Sequence, residues 1–223
     1  TPEIVLDPNT FSADGTTKLA GFSLSKNGNY AAVYFSKGGS DWNEAKILDM
    51  KSLQYLNDTL SWIKVSGAAW QDDGFYYSRY PAPEGSALAS KNENHKVYYH
   101  KIGQSQDKDR LIFEDPTSPQ SFNIASTTDD EQYTILSRSD RGKGLDGNAL
   151  FFMRKGEKTF TPIVKEITDF DYSIIDNYGA DFVIATNEKA PNKKVMIFNA
   201  NTGKWRTIIP EQKQPLQAVS SAG

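Results

Sequence analysis

Ser40, in Gly38-Gly39-Ser40-Asp41-Trp42, is the serine whose setting comes nearest to that of a nucleophile. A nucleophile elbow needs Gly-x-Ser-x-Gly, because the second glycine lets a strained turn pass close to the neighbouring strand. Position 42 is Trp, so the elbow fails, and Ser40 and Asp41 read as turn residues that bond their own backbone. A Ser-His-Asp triad would need His95 or His100 as its base, since the chain has 2 histidines. Five apart on or beside one strand, they face opposite ways and do not share a metal. His100, inside an aromatic run with Tyr98 and Tyr99, reads as a hydrogen-bonded structural residue. The stretch Asp7 to Gly15 superficially has calcium-loop spacing, but the fifth and sixth positions, which need an oxygen ligand and Gly, are Phe11 and Ser12. Asp14-Gly15 is then a turn, and the pairs Asp72-Asp73 and Asp129-Asp130 are solvated turn residues rather than acid/base pairs. Gly-x-x-x-x-Gly-Lys-Ser/Thr does not occur, so nucleotide chemistry is not expected, nor is any metal or cofactor.

The composition agrees with a chain that carries little reactive equipment. Lys+Arg 25 against Asp+Glu 28 gives a net charge of -3, with no long run of one sign, which argues against nucleic acid and anionic membranes as partners. With no cysteine, disulfides, thiolate metal sites and a Cys nucleophile are out, while the compartment, cytoplasmic or periplasmic, stays open. No apolar stretch is long enough for a membrane helix, so a soluble chain is expected.

The elements that would position these residues are strands. Short runs such as Ala31 to Phe35, Phe75 to Ser78, Val97 to Tyr99, Ala149 to Met153, Phe182 to Thr186 and Val195 to Phe198 are bounded by Asn, Asp and Gly. They fall into four similar units: an apolar strand, a polar turn, an aromatic or β-branched strand, a variable loop and a third strand. The predicted turns are Lys26-Asn29, Gln71-Gly74, Thr128-Glu131 and Asp176-Gly179, with leading strands Leu19-Ser25, Val65-Trp70, Phe122-Ser126 and Phe170-Ile175. Intervals of 46, 57 and 47 residues separate Asn27, Asp73, Asp130 and Asn177, near the roughly 40 to 50 residues of a propeller blade. A sandwich also strings short strands together but does not predict four like units at that period. The expected fold is therefore all-β, a partial β-propeller of about four four-stranded antiparallel blades near 19-56, 63-114, 120-166 and 168-210, with a further blade starting at 214-223. Ser86 to Glu93 reads as a loop.

Several ordered points carry a family resemblance over about Glu3 to Gly223. They are Leu6-Asp7-Pro8-Asn9 with Asp14-Gly15-Thr16, then Gly39-Ser40-Asp41-Trp42, Val65 to Trp70 with Phe75 to Tyr80, and Thr186-Asn187-x-x-Ala190-Pro191-Asn192. In these the chain resembles the propeller of prolyl oligopeptidases. The resemblance implies a parent seven-bladed propeller covering an α/β-hydrolase domain, and a triad that lies wholly in the hydrolase part and outside this chain. It implies hydrolysis of oligopeptides on the carboxyl side of proline, with the propeller as a size filter. It also implies substrate-lining positions: Val65 where the family has an aromatic, Phe122 where it has a Met, and Ser139 where it has an Arg, with Arg138 or Arg141 as candidate substitutes for that donor.

The parent is thus expected to be a serine-type prolyl endopeptidase, and this chain alone to be inactive. Its expected partners are the hydrolase domain, the remaining blades and a proline-containing oligopeptide. The alternatives are a stand-alone propeller-type module that binds protein or peptide, and the propeller of a related dipeptide-releasing exopeptidase. End blades without neighbours would expose apolar faces and favour self-association.

Overall fold

The structure, a computed structural model, describes residues 4–83 and 91–220. Among these, sixteen strands form four sheets, no α-helix is present, and no helix is long and apolar enough to cross a membrane. The chain divides into two compact units, Thr1–Pro119 and Gln120–Gly223.

The first unit holds two sheets. One comprises β1 (Thr17–Leu24), β2 (Tyr30–Lys37), β3 (Asn43–Asp49) and β4 (Gln54–Ile63). The other comprises β5 (Ala69–Gln71), β6 (Gly74–Arg79), β7 (Lys96–Lys101) and β8 (Arg110–Phe113). The second unit repeats the plan with β9 (Ser121–Thr127), β10 (Tyr133–Asp140), β11 (Ala149–Arg154) and β12 (Thr161–Val164), then β13 (Tyr172–Tyr178), β14 (Asp181–Thr186), β15 (Lys194–Asn199) and β16 (Trp205–Ile209). In every sheet the strands pair antiparallel in chain order.

Turn chemistry fixes two of the leading hairpins in the same way. The Ser25 hydroxyl accepts the Tyr30 N–H at 3.0 Å and donates to Asn27 at 2.9 Å. Thr128 does the same for Tyr133 and Asp130, at 3.1 and 2.6 Å. A hydroxyl two residues before an Asx side chain thus closes the loop and starts the next strand in register.

A four-stranded sheet has two faces, and an apolar one must find cover. In the first unit Ile47, Leu60 and Ile63 pack against Trp70, Phe75 and Tyr77 of the second sheet. The Trp70 indole N–H also donates across the seam to the Ser23 carbonyl at 3.2 Å and its hydroxyl at 3.1 Å. In the second unit Tyr133, Ile135 and Phe152 meet Phe182, Ile184 and Phe198. Tyr133 and Phe152 sit edge-on to Phe182 with ring centres 4.8 and 5.5 Å apart. Such pairs add about 0.5–1.5 kcal/mol each beyond the area they bury.

The other face of the first sheet, with Val33, Phe35 and Leu48, is covered by Leu6 and Phe11 from the preceding segment. That of the fourth sheet, with Val183, Val195 and Ile197, is covered by Leu216 and Val219.

Three local expectations are corrected. The four sheets have the four strands expected, the last in each being β4, β8, β12 and β16, which the pattern did not locate. Three of them are only 4 or 5 residues long, β12 contains Pro162, and β4 has Asn57-Asp58 at its centre, so none has a clean apolar alternation. Val65 to Ala68 is not a strand, because the Ser66 hydroxyl accepts the Ser78 N–H at 2.7 Å where a ladder carbonyl would otherwise stand. The turn expected at Asp176-Gly179 lies two residues later: β13 runs to Tyr178, and the chain reverses through Gly179, whose φ of 56° suits glycine. Leu216 to Ser220 forms no strand; its Leu216 N–H bonds one loop carbonyl, that of Asn192, at 2.8 Å. Positions 221–223 of that expected strand, and 86–90 of the loop expected at Ser86-Glu93, lie outside the described residues.

Candidate functional site

Both histidines occupy the first unit and neither is free to act as a base. His100 on β7 is fully buried, with Nδ1 2.7 Å from Asp109 Oδ1 and Nε2 2.9 Å from Asp58 Oδ1. It is the structural residue that its strand position suggested. His95, just ahead of β7, is 1% exposed, and its ring lies 4.7 Å from that of Tyr80. Burial pushes its imidazole down to about 4, against a hydrogen bond with the Val65 backbone that favours the charged form. Ser40 is a turn residue: its hydroxyl accepts the Trp42 N–H at 3.1 Å. Asp130 is a turn residue as well. Burial raises its carboxyl, but bonds from Thr128, Asn177 and Gln132 prevail and hold it below the usual range. The Asn177 bond, 2.8 Å to Asp130 Oδ2, ties the fourth sheet to the third.

What the second unit offers is a cleft of about 390 Å³. Alternation on a strand puts every second residue on one face, and the β9–β10 register pairs Phe122 with Ser139, Ile124 with Ser137 and Ser126 with Ile135. These six share a face, and from it Ser126, Ile135, Ser137 and Ser139 line the cleft. Asp146, Asn148, Asp171 and Ser173 add to the polar wall. Asn148 is held rigidly: its Nδ2 donates to Ser137 Oγ at 3.0 Å and to the Tyr172 carbonyl at 3.1 Å, and its Oδ1 accepts the Tyr172 N–H at 2.8 Å. Gly147 beside it has no room for a side chain, since a Cβ there would stand 2.0 Å from the Phe170 carbonyl oxygen. Hydroxyls, the carboxylates of Asp146 and Asp171, and an apolar wall thus line this cleft.

Of the residues expected to touch substrate, Phe122 and Ser139 are therefore neighbours. Arg138 is on the opposite face, where its Nε donates to Asn123 Oδ1 at 3.0 Å. Val65 belongs to the first unit, in the link after β4, and is 38% exposed. Arg141 opens the 3₁₀ turn Arg141–Lys143 that follows β10. Asn148 and Asp171 escaped the sequence reading; an Asn directly before an apolar strand looks like any turn residue.

Meandering four-stranded antiparallel sheets, packed face to face in pairs within each unit, are built as the blades of a β-propeller are. The model for "Prolyl oligopeptidase, N-terminal beta-propeller domain" matches residues 1–223. A prolyl endopeptidase of Elizabethkingia meningoseptica is 39% identical over 99% of this chain and 32% of its own length. Among solved structures, a chain from work on two prolyl endopeptidases and their inter-domain dynamics superposes with a TM-score of 0.88. Its identity is 27%, over 99% of this chain and 31% of that one. Prolyl oligopeptidase B from Galerina marginata, in its apo form, gives 0.86 and 28% over 97% of this chain and 32% of that one. The chain belongs to the prolyl oligopeptidase family and corresponds to its N-terminal propeller. It spans about a third of the length of the curated relatives that it matches.

His95 yields a pH dependence with a definite sign. Its folded value of about 4 lies below the unfolded value of about 6.5, so the folded state binds fewer protons between the two. Stability is full above about pH 6.5 and falls toward pH 4, by up to about 1.4 kcal/mol per pH unit for one proton. In urea titrations at pH 7 and 4.5, His95→Gln is expected to flatten this loss; equal losses in both proteins would remove His95 as its cause.

Proposed function

We propose that this chain is the non-catalytic, substrate-gating part of a serine peptidase that hydrolyses oligopeptides on the carboxyl side of proline. The chemistry would be supplied by an α/β-hydrolase domain elsewhere in a longer polypeptide. The observation that carries this reading is the match along the whole chain to a prolyl endopeptidase three times as long, at 39% identity. The burial of both imidazoles supports it, because acyl transfer by a serine needs an accessible base. In this reading the four sheets are consecutive blades of a seven-bladed ring, with limits near residues 56, 114, 166 and 210 and a further blade starting at 214. Proline-containing oligopeptides are admitted and folded proteins are kept out.

The test compares two proteins on a chromogenic Gly-Pro substrate. The 223-residue chain is expected to release no chromophore, and a polypeptide extended through the hydrolase domain to release it. Activity of the short chain, or an extended gene product without a Gly-x-Ser-x-Gly elbow, sinks the reading.

Within that peptidase, Phe122 and Ser139 are assigned to the substrate wall on the strength of their shared face. Val65, Arg138 and Arg141 are assigned on the family resemblance alone. Ser139→Arg in the extended protein restores a charged donor, and such bonds contribute about 1.5–3 kcal/mol. A KM lower by about tenfold at similar kcat is expected; an unchanged KM takes Ser139 out of the wall.

Isolated from the rest of such a protein, the chain is expected to self-associate through β1, where Phe22 and Leu24 are 44% and 48% exposed. Light scattering at micromolar concentration should give masses above that of one chain. A strictly monomeric mass would show that Leu6, Phe11, Leu216 and Val219 cover the outer faces well enough.

A further inference from the structure

His100 stands between two carboxylates inside the seam of the first two sheets. Asp58 comes from β4 in the first sheet and is 2% exposed; the Asp109 side chain, just ahead of β8, is 0% exposed. Each carboxylate has one more donor. Gly103 N–H reaches Asp58 Oδ1 at 2.6 Å, and the Tyr77 hydroxyl from β6 reaches Asp109 Oδ2 at 2.6 Å. The network continues across the seam. Gln106 Nε2 donates to the Tyr77 oxygen at 3.0 Å and to the Ser61 carbonyl at 3.1 Å, while its Oε1 accepts the Ser61 N–H at 3.1 Å.

Counting hydrogens decides the charge state. Asp58 Oδ1 also accepts the Gly103 N–H, and Asp109 accepts the Tyr77 hydroxyl on its other oxygen, Oδ2; an ionised carboxylate has no hydrogen to give, so with both acids ionised each of the two N···O contacts needs a hydrogen on nitrogen. A neutral imidazole has one N–H and would set a lone pair against a carboxylate oxygen at one contact. The other groups around the ring do not supply the missing proton. Phe75 of β6 lies 5.4 Å away ring to ring. The charge of Arg79 acts on Tyr77, Lys101 pairs with Asp73 at the surface, and Asp107 and Lys108 are exposed.

We propose that Asp58, His100 and Asp109 form a proton-loaded clasp, an imidazolium held by two carboxylates, that fastens the first sheet to the second and releases when it is discharged as pH rises. Burial alone would push the His100 imidazole down, but hydrogen bonds and charge from Asp109 and Asp58 outweigh it and raise it. In the unfolded chain above about pH 6.5 the imidazole is neutral, so folding takes up one proton. The raised value gives stability that is complete below the unfolded value and is lost as pH rises through the folded one. The consequence is opposite in sign to that of His95, which costs stability on the acid side.

The 2 histidines make the test direct. In the ¹⁵N-histidine spectrum of the 223-residue chain at pH 6.5, one imidazole is expected to be mostly protonated on both nitrogens and the other neutral. From about pH 6.5 up to the titration of His100, the folding equilibrium constant should fall by up to about tenfold per pH unit, and His100→Gln should abolish that slope. Two neutral imidazoles in the folded chain overturn the clasp, and so does an unchanged slope in His100→Gln. If His100→Gln does not fold, the spectrum of the unaltered chain decides alone.

Discussion

A four-stranded sheet built by a simple meander cannot bury itself. It is one residue layer thick, and its central strands are apolar on both sides. Everything else here follows from the need to cover those faces with another sheet. In the first unit the cover is Trp70, Phe75 and Tyr77 against Ile47, Leu60 and Ile63. In the second it is the aromatic group around Phe182. Central strands such as β2 and β14 are buried along most of their length, whereas β16 is mostly exposed. The gradient from inner to outer strand is that of a blade seated between neighbours.

Polar groups then set how one sheet lies on the next. Apolar contact is tolerant of sliding, and hydrogen bonds across a seam are not. Trp70 to Ser23, His100 to Asp58 and Gln106 to Ser61 do this work in the first unit. Asn148 to Tyr172 and Asn177 to Asp130 do it in the second. Because Asn148 both ties the seam and lines the cleft, the shape of the cleft is set by the packing of the sheets.

The parts of this fold legible in the sequence were those decided locally. β11 and β14 match their apolar runs to within one residue at each end, and the turns at Asn27 and Asp130 follow from a hydroxyl and an Asx side chain two residues apart. The outer strands were not legible, since Pro162 or Asn57-Asp58 breaks their pattern without breaking the strand. The environment of His100 was half legible. Its place in an aromatic strand pointed to a structural role, but Asp58 is 42 residues away and Asp109 is 9. One signal was present: in Leu56-x-Asp58-x-Leu60 the acid sits on the inward side of an alternating strand, where a charge needs a partner. Phe122 and Ser139 came together because the register of β9 on β10 pairs them, and no property of either residue alone announces that register.

The strand order has a kinetic corollary. Every sheet is assembled from neighbours in the sequence, and bonds that join two sheets of one unit, such as Trp70 to Ser23 and Arg154 to Asn201, span 47 residues. Contact order is therefore low for an all-β chain, and closing such loops costs little entropy. Hairpins can therefore form early and locally, but a sheet gains its cover only once its sequence neighbour is available, so that adjacent sheets fold as coupled pairs.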